Sequence, residues 1–214
     1  MAVSRMDELN VLRSRDDDDK IEEFFEEMEL PLAEIRERIL LAKDLDDFWL
    51  RLFLLILAMR RLSEDVNPEN LRDIVRRNYE DILSVHGYDL ADPYYLRYVE
   101  EIDGAVITTT EENMAYDYYL SGDRAIEIAV NDVNALANYR REVEAIREGK
   151  TMKRWVTMRD GRVRKTHIAV DGDEMPIQLP FRVGDDEMLF PLDQSLGAHA
   201  KECVNCRCVI EYFD

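Results

Sequence analysis

The residues best suited to chemistry lie near the end of this 214-residue chain. The run His199-x3-Cys203-x2-Cys206-x-Cys208, with His167 upstream, supplies three thiols and two imidazoles. These are the donors of a tetrahedral zinc. Three cysteines and one histidine form an accepted structural set, with His167 and His199 competing for the fourth place. A Cys-x2-Cys pair is common in zinc sites, but the chain has no second pair. Cys206 and Cys208 are two apart, so an extended segment points both to one face. The alternative is that the thiols are small buried residues beside a strand. Three is an odd number, which fits a reduced compartment or a metal cluster better than a disulfide framework.

A second group is cationic: Arg159, Arg162, Arg164 and Lys165 stand close together in an acidic chain. They suit weak contact with phosphate or nucleic acid, or pairing of Arg162 and Arg164 with Asp171, Asp173 or Glu174. His167 could serve as a general base only beside a second acid, base or stabilising group, and Arg164 and Asp171 are its neighbours in sequence. No phosphate-binding Gly-rich loop, His-Glu-x-x-His or Gly-x-Ser-x-Gly is present. The residues therefore favour a protein that is not an enzyme, with catalysis by His167 as the alternative.

Composition sets bounds on these readings. The chain has 28 basic and 47 acidic residues, a net charge of −19, which argues against a general nucleic-acid binder. Hydrophobic content of 46% is enough for a sizeable core. No secretory signal is expected, because residues 1–20 lack an apolar stretch and Asp16-Asp17-Asp18-Asp19-Lys20, which matches an enterokinase cleavage site, is acidic. The longest apolar run, residues 48–59, contains Arg51 and is too short to span a membrane, so a core helix is expected there.

The elements that must position the candidate residues divide into two parts. Residues 1–150 hold 19 basic and 36 acidic residues, and residues 151–214 hold 9 and 11. The first part shows helical spacing. Phe24, Phe25, Met28, Leu32, Ile35, Ile39 and Leu40 form a stripe that Pro31 kinks or breaks. A hub helix covers residues 46–62, and Asn67-Pro68 and Asp92-Pro93 read as helix caps followed by proline. Thr108 to Thr110 open a helix towards Tyr119, and after Ser121-Gly122-Asp123 a long helix spans 121–148. Beyond Gly149-Lys150 the period changes. Residues 155–158 and 163–170 read as a hairpin across Asp160-Gly161, Asp171-Gly172-Asp173 as a turn, and residues 209–213 as a closing strand. A short helix is expected within 195–202. The predicted class is α+β: a helical region, 1–120, then a small domain, 121–214, with a core of short antiparallel strands over 151–214.

The order of signals over the last 90 or so residues resembles the phage head-morphogenesis family typified by Mu F-like minor head proteins. A helix carrying Arg124, Asn134 and Asn138 leads to Lys153-Arg154-Trp155 and Asp160. Arg164-x-x-His167 and Asp171-Gly172 follow, then Phe181, Pro191, Asp193 and Ser195-Leu196-Gly197-Ala198. The ending Asn205-Cys206-Arg207-Cys208 completes the set. The chain departs from the family at Phe190-Pro191-Leu192-Asp193-Gln194, where Pro-Gly-Asp-Pro is usual, and at Cys203, where an aliphatic residue is usual. The resemblance thus favours His167, Cys206 and Cys208 over Cys203 as a cluster. It makes Trp155, Asp160, Arg164, His167, Asp171, Gly172, Asn205 and Arg207 motif residues. It implies a minor capsid protein inside a tailed-phage head, made in the host cytoplasm and bound to the portal and other head proteins. Such a protein assists head assembly and DNA packaging or delivery. The implied scaffold is similar to certain nuclease and toxin folds, an analogy that does not establish catalysis.

Overall fold

The computed structural model describes residues 107–214, together with residues 72, 76, 80, 83, 84, 89 and 91–96. All of them fall within one compact unit, Leu41–Asp214. The acidic run at 16–20, the stripe at 21–45 and the hub helix at 46–62 lie outside the described residues. Of the helix expected after Pro68, residues 72, 76, 80, 83 and 84 are described, and all are helical. Asp92 caps the next turn as expected: its Oδ1 accepts from Tyr94 N at 2.9 Å, and Pro93 takes the first helical position. Among the described residues no helix is long and apolar enough to cross a membrane.

The segment expected as one helix up to Tyr119 is two pieces, α1 (Thr109–Asn113) and a 3-10 turn, Asp117–Leu120. The long helix, α2, spans Gly122–Arg147, about 39 Å at 1.5 Å per residue. Ser121 caps its start by accepting from Arg124 N, and Asp123 and Arg147 complement the dipole at its two ends. Gly149, at φ +81°, ends it. Gly149 N donates to Ile146 O and Lys150 N to Ala145 O, a Schellman stop. Ala125, Ile126, Ala129, Val133 and Leu136 are buried along one face.

The chain then changes period. β1 (Met152–Val156) is the centre of a three-stranded antiparallel sheet in the order β2-β1-β5, where β2 is Glu174–Pro176 and β5 is Val209–Phe213. Lys153 and Trp155 are buried, and their strand neighbours are only half-buried. β3 (Phe181–Val183) and β4 (Asp186–Met188) form a separate hairpin. Its two-residue loop starts with Gly184 at φ +66°, the sign that a tight hairpin needs at that place. The architecture is α+β, with helices and small antiparallel sheets.

The hairpin expected across Asp160-Gly161 does not form. Residues 157–164 make an irregular loop, and the stretch read as a second strand contains a short helix, α3 (Lys165–Ala169). A second short helix, α4 (Ala200–Cys203), fills the end of the region where one was expected. The core lies between α2, the sheet and these loops: Trp155, Phe181, Val183, Met188, Phe190 and Ile210 pack with all three cysteines. Truncating any of the buried aromatic rings to alanine costs about 3–5 kcal/mol.

Across the core runs one buried ionic link. Lys153, fully enclosed, donates to Glu142 Oε1 at 2.9 Å and to Leu189 O at 2.8 Å. Tyr212 OH donates to Glu142 Oε2 at 2.9 Å. Burial pushes the Glu142 carboxyl up and the Lys153 ammonium down, and each charge counters the shift of the other. The link ties α2 to β1, β5 and the segment after β4.

Candidate metal centre and the motif residues around it

α3 places His167 with only 1% of its surface exposed, edge-on to the indole of Trp155 at 5.6 Å between centroids. On one side of the imidazole stand two thiols. Nδ1 lies 3.4 Å from Cys208 Sγ and 3.5 Å from Cys206 Sγ. The donor atoms of His167, Cys206 and Cys208 all lie within 4.8 Å of one another. On the other side, Nε2 is 3.3 Å from Glu202 Oε2. The alignment is too poor for a hydrogen bond, so Nε2 has no hydrogen-bond partner among the described residues. Glu202, buried on α4, is itself held by Thr166, whose Oγ1 donates to Oε2 at 2.7 Å.

Cys206 and Cys208 share a face as their spacing predicts, although they lie in the extended segment before β5 rather than within it. The hydrogen bond with Cys206, then burial, pushes the Cys208 thiol up. Cys203 is buried but is not one of the converging donors, and burial pushes its thiol up to about 12. His199 is exposed and turns to Asp186, with Nδ1 2.7 Å from Oδ1. Of the two histidines, His167 is thus the one beside the sulfurs.

The other motif residues form ties between loops. Arg207 grips Asp160 with its two terminal guanidinium nitrogens, at 2.7 and 2.8 Å. That grip, with the N–H of Arg162, holds the Asp160 carboxyl down at about 2. Asp171 accepts from Thr157 N at 2.8 Å and from Arg159 Nε at 2.9 Å, and the Thr157 bond leads in lowering its carboxyl. Gly172, at φ +88°, donates its N–H to Trp155 O at 2.8 Å. Arg164 donates to Val204 O. Asn205 adopts a left-handed conformation, φ +60°, which asparagine tolerates. It docks the C-terminal segment on α2, its N–H donating to Asn131 Oδ1 and its amide to Glu127. Asn138 donates to Pro191 O at 2.7 Å. The sequence motif is therefore largely a fastening system that fixes residues 157–164 and 204–208 to each other and to α2.

In the alternative, catalytic reading, Arg164 and Asp171 are the candidate partners of His167, and the structure commits Asp171 elsewhere. Asp171 serves Thr157 and Arg159, and Glu202 is the acid beside His167. Glu202 was missed as a site residue because its neighbours in sequence are not its neighbours in space. In sequence it stands three residues ahead of the ending Asn205-Cys206-Arg207-Cys208. The basic cluster also divides. Arg159 pairs with Asp171, whereas Arg162 and Arg164 join Arg207 in lining a cavity of about 320 Å³. Asn131, Asn134 and Asn205 line it as well, and Cys206 borders it.

A family model described as Phage Mu protein F like protein matches residues 101–211. The chain belongs to this family. The match covers α1, α2, the fastened loops and the strands up to the middle of β5, the stretch that carries the motif resemblance. Membership in the Mu F-like family marks the chain as a phage head-morphogenesis protein associated with the virion. No curated protein matches the chain, and no solved structure matches it.

Proposed function

We propose that this Mu F-like protein is a minor head protein held at the portal inside a tailed-phage head, where it assists assembly and DNA packaging or delivery. The observation that carries this reading is the family match over residues 101–211, whose motif side chains serve as ties rather than as an exposed reactive centre. The acidic region 1–120 is the part that docks on the portal or another head protein. The Arg162, Arg164 and Arg207 cavity is the place where a neighbouring DNA phosphate is met. Arg159 and Lys165 add charge nearby, and the net charge of −19 keeps that contact weak. The enclosure of His167, with Asp171 committed to Thr157 and Arg159, supports the structural reading over hydrolysis.

The test is co-expression of the full chain with the portal protein of a phage that encodes it, followed by size-exclusion chromatography. Co-elution that is lost when residues 1–120 are removed is expected. Separate elution of the two full-length proteins overturns the portal reading.

A further inference from the structure

We propose that His167, Cys206 and Cys208 hold a zinc ion, with Glu202 orienting the histidine from behind. Tetrahedral zinc takes sulfur at about 2.3 Å and nitrogen at about 2.0–2.1 Å, which sets nitrogen–sulfur separations of about 3.5–3.6 Å between its ligands. The two observed separations, 3.4 and 3.5 Å, are close to those values. An ion can therefore enter among the three donors with little movement of the chain. All three side chains are buried, so a cation among them meets little competition from water for the same donors.

A second, independent observation is the far side of the imidazole. His167 Nε2 is enclosed and has no hydrogen bond, and the Glu202 carboxylate stands 3.3 Å away, anchored by Thr166. A metal-bound histidine usually hands its other N–H to a carboxylate, which fixes the tautomer and the direction of the ring. With Nδ1 committed to an ion, Nε2 carries the proton, and a small rotation brings it into line with Glu202. Trp155 Nε1 is the other buried side-chain atom without a hydrogen bond among the described residues, and its ring packs against His167.

The donor set selects the ion class. Two sulfurs and one imidazole suit zinc and exclude magnesium and calcium, which want oxygen. Three protein ligands leave the fourth position to a solvent-derived ligand, and Cys206 borders the cavity lined by Arg162, Arg164 and Arg207. The ion would fasten α3 to the segment entering β5, the same two regions that the Asp160–Arg207 grip approaches from the surface. The proposal is independent of where in the head the protein sits.

The test is elemental analysis of the full-length protein, expressed in zinc-supplemented medium and purified without chelator under reducing conditions. About one zinc per chain is expected. Cys206→Ser and Cys208→Ser should each lower the content at least fivefold, and Cys203→Ser should leave it unchanged. Because the serine variants could unfold, the wild-type chain is also stripped and loaded with cobalt(II) alone. The intense ligand-field and thiolate charge-transfer bands of tetrahedral cobalt are expected. Zinc below about 0.1 per chain, or a pale octahedral cobalt spectrum, overturns the proposal.

Discussion

Lys153→Met isolates the buried link of the core. In the native protein the Lys153 ammonium meets Glu142 Oε1 at 2.9 Å and Leu189 O at 2.8 Å, with no exposed surface. The methionine fills most of the volume but leaves Glu142 enclosed with Tyr212 OH as its remaining hydrogen-bond donor. Removing one partner of a buried ion pair costs about 3–5 kcal/mol. At about 2–4 °C per kcal/mol for a chain of this size, the midpoint should fall by about 6–20 °C. The double variant Glu142→Leu/Lys153→Met removes both charges and leaves only the neutral Leu189 O and Tyr212 OH without their partners, so its cost should be smaller than the sum of the two single-variant costs. Urea unfolding followed by tryptophan fluorescence measures both, since Trp155 is fully buried 5.4 Å from the Phe181 ring. The deficit of Lys153→Met should also shrink as the pH is lowered. Burial already raises the Glu142 carboxyl, and loss of Lys153 raises it further, so the folded variant binds a proton that the unfolded chain releases. A single variant within about 1 kcal/mol of wild type, or strictly additive costs in the double variant, would refute the reasoning.

Three further outcomes follow from named contacts. The Arg207 grip holds the folded Asp160 carboxyl at about 2, below its unfolded value of roughly 3.9. Its contribution is present above about pH 4 and is lost as the pH falls towards 2, so Arg207→Ala should flatten the stability profile in that window in acid titrations. Gly184→Ala strains a position at φ +66° and brings its new Cβ to 3.0 Å from Thr166 Cγ2 and 3.3 Å from Glu202 Oε1. A loss above about 1 kcal/mol is expected in urea unfolding, with a perturbed His167 ring resonance by NMR. Burial lifts the Cys203 thiol to about 12, so native protein should alkylate there many-fold more slowly than urea-unfolded protein, as read by mass spectrometry of the Cys203 peptide.

Local chemistry made parts of this structure legible. Ser121 and Gly149 bound α2 because a side-chain cap and a left-handed glycine act within one turn, and Asp92-Pro93 worked for the same reason. The closing strand was legible because 209–213 is rich in β-branched and aromatic residues. The Asp160-Gly161 hairpin failed because distant partners decide that segment. Asp160 is claimed by Arg207, and the neighbours of β1 are β2 and β5 rather than the residues just after it. The actual two-residue hairpin is at Gly184-Asp185, where glycine comes first. Within the candidate site, the types and spacing of the cysteines with His167 or His199 announced a cluster, and the family resemblance narrowed it to His167, Cys206 and Cys208. The exclusion of Cys203 and the arrival of Glu202 depend on how α4 turns before Asn205, which no local signal encodes.

Density for this chain in an intact phage head tests the central claim most directly. Cryo-electron microscopy of filled and empty heads, reconstructed around the portal vertex, should show the 26-residue helix α2 and its three-stranded sheet on the inner side of the portal. Purified heads that lack the chain, or that carry it only on the outer shell, would contradict the account.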